Sequence, residues 1–203
     1  GAAAEVIDTY SDVAHHAVEV EGGGTRFGSG EAMIEKIELL GPSGEPTSLV
    51  NTGDAVRLRL YYRAKERISA PVFGVSIDTR EGIFVWGLHG VDACYVPTSI
   101  EPGTGHLDVN IPRLALNPGS YTVSAAIQNH DMTSVIDALQ KARRFDVLPG
   151  PGMESGGIIT LGASFSGLSP ERPMRDIARR GAADFQRLAR MQAQQADALG
   201  AED

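Results

Sequence analysis

The sequence predicts an all-β protein, an immunoglobulin-like or jelly-roll antiparallel β-sandwich, followed by a C-terminal amphipathic helix. Three observations predict this fold. Short segments of alternating apolar and polar residues recur along the chain, Gly, Pro, Asn and Asp separate them, and helical spacing occurs only near the end. The 203 residues are enough for one substantial domain with a hydrophobic core.

The clearest strand signal is DAVRLRLYYRAK at residues 54–65, in which apolar and polar positions alternate almost perfectly. Such alternation is typical of a strand with one buried face. The other segments with strand patterns are AMIEKIELLG, APVFGVSIDT, GIFVWGLHG, HLDVNIPRLAL, YTVSAAIQN and RRFDVL. Between the last two lies HDMTSVIDALQKA, residues 130–142, for which we expect an irregular segment with a helical turn.

Composition divides the chain into three parts. Residues 1–24 end in EGGG and are predicted to be an interdomain linker. Residues 25–168 are predicted to form the sandwich, with a last strand at 157–166 after the Gly-rich GPGMESGG. Residues 170–200 are predicted to form the helix, whose apolar stripe is Met174, Ile177, Gly181, Phe185, Leu188 and Met191. This stripe packs either on the sandwich itself or on a second copy of the chain.

Charge and cysteine content exclude several classes of function. The net charge of -8 argues against nucleic acid as a partner, because phosphate binding needs clustered Lys and Arg. No apolar run approaches the roughly 20 residues of a membrane-spanning helix. Cys94 is the single cysteine, so the fold has no intrachain disulfide. The chain lacks a signal-peptide pattern and begins without Met, which predicts a fragment of a longer protein.

Catalytic motifs are not found either. GGGTRFGSGEA lacks the Lys and Ser or Thr of a phosphate-binding loop, the five histidines lack metal-ligand spacing, and no GxSxG motif occurs. We therefore expect no metal and no cofactor in this fragment, and no enzyme. A glycoside hydrolase is the less favoured alternative. It is considered because Asp78, Glu81 and Asp92 lie near Trp86 in the sequence, and glycosidases use two carboxylates.

The segment GIFVWGL has apolar residues at both alternating sets of positions. If Ile83 and Val85 face the core, Phe84 and Trp86 lie on the outer face of a sheet, beside small residues and Gln128. Aromatic rings stack on the apolar side of a sugar, and polar side chains bind its hydroxyl groups. The alternative is that Trp86 is a core aromatic, as in immunoglobulin-type sandwiches.

Four stretches together resemble a known family: RFGSGEAMIEKIELLGPSGEPTSLVNTGDAVRLRLYYRA, PVFGVSIDTREGIFVWGLH, LALNPGSYTVSAAI and RRFDVL. Over roughly residues 25–165 they look like the C-terminal carbohydrate-binding domain of Wzt-type proteins. Those proteins are the ATPase subunits of ABC transporters that export O-antigen and related polysaccharides. The resembling features are GSGEA before the first strand, the PxFGV strand and the LxPGxY turn.

The resemblance implies a non-catalytic domain in the cytoplasm, at the inner face of the cell membrane. It would recognise the non-reducing end of a lipid-linked polysaccharide. The implied partners are that glycan, a second copy of the chain with the last strand exchanged, and the membrane subunit of the transporter. ATP and Mg²⁺ would belong only to a domain upstream of Gly1. The alternative is a dimerising structural module of the transporter without its own glycan site.

The resemblance also implies which positions form the glycan site. They are Trp86, His89, Gln128, Asp78, Arg80 and His130. Trp86 would stack on a sugar ring, and His89, Gln128 and Asp78 would bind hydroxyl groups. Arg80 would bind a phosphate or a uronate if the glycan carries one.

Overall fold

The computed structural model describes residues 18–20, 24–164 and 166, and the regular elements of this part of the chain are all strands. The strands are β1 (Val18–Val20), β2 (Gly24–Phe27), β3 (Ala32–Leu40), β4 (Leu49–Asn51), β5 (Val56–Ala64), β6 (Ile68–Ser69), β7 (Val72–Thr79), β8 (Phe84–His89), β9 (Ser99–Ile100), β10 (Gly103–Ile111), β11 (Gly119–Gln128) and β12 (Val135–Leu148). The predicted linker at 1–24 lies largely outside these residues, and the predicted helix at 170–200 lies wholly outside them.

The strands form two main sheets. The larger sheet has the order β1-β2-β12-β11-β7-β8, with β4 added at the end of β12. The smaller sheet has the order β10-β5-β3, and β6 and β9 form a short separate ladder. Every pairing is antiparallel except that of β4 with β12. The predicted all-β antiparallel sandwich is confirmed.

The core lies between the two sheets and follows from strand alternation. On β5, Val56, Leu58 and Leu60 are buried, while Arg57 and Arg63 of the same strand are exposed. Burying each of these aliphatic side chains contributes roughly 1.5–3 kcal/mol. Residues of β7, β11 and β12 supply the other half of the core, among them Val75, Ile77, Val123, Ile127 and Phe145. The opposite side of the larger sheet is thereby left for polar and small residues.

A buried carboxylate joins the two sheets. Asp137 on β12 is 2% exposed, and its Oδ2 accepts the N–H of Ile34 on β3 at 2.6 Å. Arg26 on β2 places its Nε 3.5 Å from Asp137 Oδ1 and donates from its guanidinium to the carbonyl of Ile34. The register of β3 against β5 shifts between Ile34 and Lys36. Asp137 and Arg26 therefore satisfy both backbone groups of a residue that lies beside an irregularity.

The prediction for residues 130–142 is wrong, because most of this segment belongs to β12. The register of β12 against β11 shifts twice, opposite Ser124 and near Gln128. Ser124 Oγ accepts the N–H of Lys141, which has a φ of 51°, at 2.9 Å. These irregularities break the period-two pattern that identifies a strand in a sequence. Burial does not alternate in this segment either, since the four consecutive residues 136–139 are all buried.

The strand predicted at 157–166 is reduced to a short contact in the part that the structure describes. Ile159 forms a single bridge with Leu116, and the Asn117 N–H donates to the carbonyl of Ile158 at 2.8 Å. The buried Asn117 amide also donates to Gly156 at 2.9 Å. The segment is therefore held on the sandwich mainly through Asn117.

We expect Asp137→Ala to lower the free energy of unfolding by about 3 kcal/mol, because it leaves Arg26 and the Ile34 N–H without their acceptor inside the protein. Glu101→Ala is the control. It removes an ion pair with Arg67 in which both side chains are more than half exposed, and it should cost less than about 1 kcal/mol. Urea denaturation measures both values. Equal small losses in the two variants would contradict the role given to Asp137.

The same carboxylate predicts a pH dependence. Burial raises the pKa of the Asp137 carboxyl, and the Ile34 N–H and Arg26 offset this effect only in part. The folded protein therefore binds this proton more tightly than the unfolded chain, so ionisation above about pH 4 costs stability. Asp137→Asn cannot ionise, and its stability relative to the wild type should increase between about pH 3 and about pH 7. Urea denaturation across this range is the measurement, and a relative decrease would refute the expectation.

Candidate functional site

The candidate site lies on the outer face, by which we mean the side of the larger sheet that is turned away from β3, β5 and β10. One row of paired residues crosses five strands of this face. In spatial order the row is His89 on β8, Gly74 on β7, Ala126 on β11, Ala138 on β12 and Phe27 on β2. We call the depression along this row the trough.

The floor of the trough is low because its three central residues are glycine or alanine. Gly74 and Ala138 are buried, whereas His89 at one end is exposed. The His89 ring lies over Gly74, since a Cβ at Gly74 would be 3.6 Å from its Cδ2 and Nε2 atoms. Phe27 closes the other end of the row. The trough has a volume of about 250 Å³ and is open to solvent along its length.

Polar side chains line both sides of this row. Ser76 on β7 and Ser124 on β11 are paired, while Gln128 lies on β11 and Gln140 on β12. Ser124 Oγ accepts a backbone N–H and keeps its own proton for another acceptor. Among the described residues, nothing bonds to the side-chain amides of Gln128 and Gln140. The trough therefore offers hydroxyl groups that both donate and accept, and two amides with unused donors and acceptors.

Phe84 adds a second aromatic ring to the outer face. Its side chain is 66% exposed, and it pairs with Asp78 at the start of β8. A Cβ at Gly87 would lie 2.9 Å from Phe84 Cζ, so the ring lies over Gly87. Gly87 pairs with Ser76. The exposed ring is therefore next to the row that borders the trough.

Trp86 lies on the inner side of β8, so the prediction that it shares the outer face with Phe84 is wrong. Trp86 pairs with Ile77, which belongs to the core, and it is partly buried against that core. The register between β7 and β8 shifts just beyond this pair, so that Asp78 pairs with Phe84. Val85 is the extra residue, and it reverses the expected alternation. The alternative reading of Trp86 as a core aromatic agrees with this geometry.

The other predicted site residues fall into three groups. His89 and Gln128 both line the trough. Asp78 lies two residues beyond Ser76 on β7, on the same face, and its Oδ2 accepts the Ser76 hydroxyl at 3.3 Å. Arg80 lines a second depression on the same face, and His130 is exposed in the turn between β11 and β12. The structure therefore places His130 and Arg80 away from the trough.

Two residues of the trough are missing from the sequence prediction. Phe27 belongs to a strand of only four residues that directly follows the predicted linker. Gln140 falls in the segment predicted to be irregular. No pattern in the sequence identifies Phe27, because the two residues before it, Thr25 and Arg26, are both polar and so short a stretch does not define a strand.

Two other kinds of feature are absent from the described part of the chain. Its histidine, cysteine and carboxylate side chains form no group able to bind a metal ion. No helix there is long and apolar enough to cross a membrane.

The fold and the trough define a β-sandwich module that presents a polar, aromatic-bordered depression on an open sheet face. The sequence profile of the Wzt C-terminal domain matches residues 24–161, and the chain belongs to this family. The resemblance stated from the sequence is thus confirmed. Membership makes the chain a domain of the kind found in polysaccharide-related ABC transporters.

Solved structures agree with this assignment at the level of the fold. The chain resembles a crystal structure of the C-terminal domain of Wzt with a TM-score of 0.64 and 22% identity, over 77% of this chain and 96% of that one. Weaker likenesses include a Niemann-Pick type C2 protein from Japanese carpenter ant, with a TM-score of 0.42, 9% identity and coverage of 61% and 96%. A Bacteroides uniformis beta-glucuronidase has a TM-score of 0.39 and 12% identity, over 54% of this chain and 14% of that one. No curated protein matches the chain.

The positions of Trp86 and Phe84 predict that substitution by alanine affects stability much more at Trp86 than at Phe84. Trp86→Ala removes core contacts and should lower the free energy of unfolding by about 2 kcal/mol. Phe84→Ala removes an exposed ring and should change it by less than about 0.5 kcal/mol. Urea denaturation of the two variants checks this. A Trp86→Ala protein as stable as the wild type would show that Trp86 is not a core residue.

Proposed function

We propose that this chain is a non-catalytic carbohydrate-binding module that recognises the non-reducing end of a lipid-linked O-antigen-type polysaccharide for export by an ABC transporter. The observation that carries the proposal is the trough, with its floor of glycine and alanine, its aromatic and imidazole rings and its unused amides and hydroxyl groups. Family membership supports the connection with polysaccharide transport.

The side chains of the trough match the surface of a sugar. A pyranose has an apolar side, formed by its C–H groups, and a rim of hydroxyl groups. The apolar side packs on aromatic rings, for which Phe27 and Phe84 are the available partners. The hydroxyl groups bind to Gln128, Gln140 and the two serines. In this proposal Phe84 takes the stacking role that the sequence assigned to Trp86.

The size of the trough favours the end of a chain over a long stretch of it. Its volume of about 250 Å³ is below the roughly 300–1,000 Å³ of pockets that hold drug-sized ligands. A site of this size binds only a few sugar units. The proposal includes no catalytic step, because glycosidases place two carboxylates across the bond that they cleave, and the groups lining the trough are amides, hydroxyls and rings.

The location and partners also belong to the proposal. We place the domain in the cytoplasm, at the inner face of the membrane, as part of a transporter whose upstream domain binds ATP and Mg²⁺. We further propose a homodimer in which residues 157–166 are exchanged. The contacts of Asn117 with residues 156–159 form equally well with a partner's segment, since exchange preserves each contact.

A substitution in the floor of the trough tests the site. Ala126→Leu places a larger side chain in the trough and should weaken binding of O-polysaccharide purified from the source organism by at least about tenfold, because the sugar no longer reaches the floor. Calorimetric titration measures the affinity, with dextran as an unrelated glycan. Thr104→Leu, an exposed position on β10 of the smaller sheet, is the matched control and should bind like the wild type.

Other outcomes distinguish the alternatives. Normal binding by Ala126→Leu would exclude the trough as the site. A wild-type dimer that binds neither polysaccharide would favour a structural module. Release of free sugars during the titration would favour a hydrolase.

A further inference from the structure

We propose that a second part of the outer face binds an anionic group of the same glycan, either the carboxylate of an acidic sugar or a phosphate ester. The site is the cationic end, which we define as Arg80, Lys141 and Arg144. This inference rests on the proposed function, because it concerns the substrate of that domain. It adds the chemical class of the glycan, namely a negatively charged polysaccharide.

The fold brings these three cations together from distant parts of the sequence. Arg80 lies in the turn after β7, where its N–H donates to the carbonyl of Ser120 at 3.0 Å. Arg144 on β12 pairs with Thr122 on β11. Both arginines line one depression of about 290 Å³, together with the hydroxyl-bearing side chains of Ser48, Ser120 and Thr122 and the carboxylate of Asp146. Tyr121 also lines it, but its hydroxyl donates to the Asn117 carbonyl.

Lys141 approaches the same turn from β12. Its Nζ lies 3.9 Å from the position that a Cβ on Gly82 would occupy. The register irregularity opposite Ser124 and the positive φ of Lys141 accompany this placement. The side chain thus extends from β12 across the outer face towards the turn that carries Arg80.

None of the three cations is used in an ion pair within the described part of the chain. The ion pairs found there involve other cations, namely Arg26, Lys36, Arg57, Arg59, Arg63 and Arg67. Three carboxylates lie nearby: Glu81, which is exposed beside Arg80 in the turn, and Asp146 and Asp78, which have hydrogen bonds of their own. Asp146 accepts the Ser120 hydroxyl at 2.6 Å, and Asp78 accepts the Ser76 hydroxyl at 3.3 Å. The chain has a net charge of -8, yet the fold places three cations that are outside the ion pairs of the described residues at one end of one face.

A buried hydroxyl lies beneath the cationic end. Thr122 is 5% exposed, and its Oγ1 has no hydrogen-bond partner among the described residues. A buried polar group without a partner is unfavourable, because it has lost its hydrogen bonds to water. Guanidinium groups bind carboxylates and phosphates through paired N–H donors. The depression therefore combines donors suited to an oxyanion with a floor hydroxyl that lacks a partner.

The cationic end is within reach of a glycan bound in the trough. Thr122 lies two residues from Ser124 on the same face of β11, a separation of about 7 Å. Ser124 borders the trough. A glycan that places one sugar in the trough can therefore place a charged substituent, or the next sugar, beside Arg80 and Arg144.

The test compares two double variants of the 203-residue chain. R80Q/R144Q removes two charges from the cationic end, and R57Q/R63Q removes two charges from the smaller sheet as a control. The probes are the purified O-polysaccharide, its carboxyl-reduced form and its form dephosphorylated with aqueous hydrogen fluoride. We expect R80Q/R144Q to bind the untreated polysaccharide about tenfold or more weakly, with less dependence on salt, and the control to bind like the wild type.

The two chemical treatments identify the anion. Loss of wild-type affinity after carboxyl reduction assigns a uronate, and loss after dephosphorylation assigns a phosphate. Unchanged binding by R80Q/R144Q, or equal wild-type affinity for all three forms, would overturn the inference.

A second measurement separates this inference from the proposed function. Glucuronate and inorganic phosphate are titrated into the wild type and R80Q/R144Q, and the NMR signals of the Arg80, Ser120 and Thr122 amides are followed. Saturable shifts in the wild type alone support the anion site even where no polysaccharide binds, which would refute only the proposed function. Without such shifts and without an effect of R80Q/R144Q on polysaccharide binding, the anion site is refuted.

Discussion

The contact between Asp137, Arg26 and the backbone of Ile34 is the constraint on which the rest of the structure depends. It joins β2 and β12 of the larger sheet to β3 of the smaller one inside an otherwise apolar layer. Burying a charged pair yields little net stability, but it fixes which groups face each other. Since Arg26 points inward, its neighbour Phe27 points outward and borders the trough. The core contact and the site are thus set by adjacent residues of one short strand.

Register irregularities determine where the important side chains lie. The shift in β3 lies beside Ile34, the shift between β7 and β8 turns Trp86 into the core, and the shift opposite Ser124 accompanies the unusual course of Lys141. An extra residue reverses the faces of all residues beyond it on that strand. Which side chains lie on the outer face therefore depends on these irregularities as well as on the amino-acid sequence of each strand.

This explains how far the sequence predicts the molecule. The strand β5 was predictable because its alternation is almost perfect, and Gln128 was placed correctly from the alternation on β11. His89 came from the family resemblance, since simple alternation from Val85 would have placed it inside. Trp86 and the course of 130–142 were not predictable, because a register shift depends on pairing between strands, and a single sequence contains no direct record of that pairing. Gln140 was missed for the same reason, whereas Phe27 was missed because its strand is too short to show a pattern.

A rigid sheet face suits the recognition of a variable polymer. Alternation separates the residues of β7 and β11 into a buried set and an outer set, so exchange of an outer side chain leaves the core unchanged. The small residues at Gly74, Ala126 and Ala138 keep the backbone close to a ligand, and the neighbouring rows determine which polar groups it meets. The neutral trough and the cationic end are two such rows on the same strands. Substituting one pair of outer side chains in either region would change the charge of the ligand that fits this face, while the buried residues and the fold stay the same.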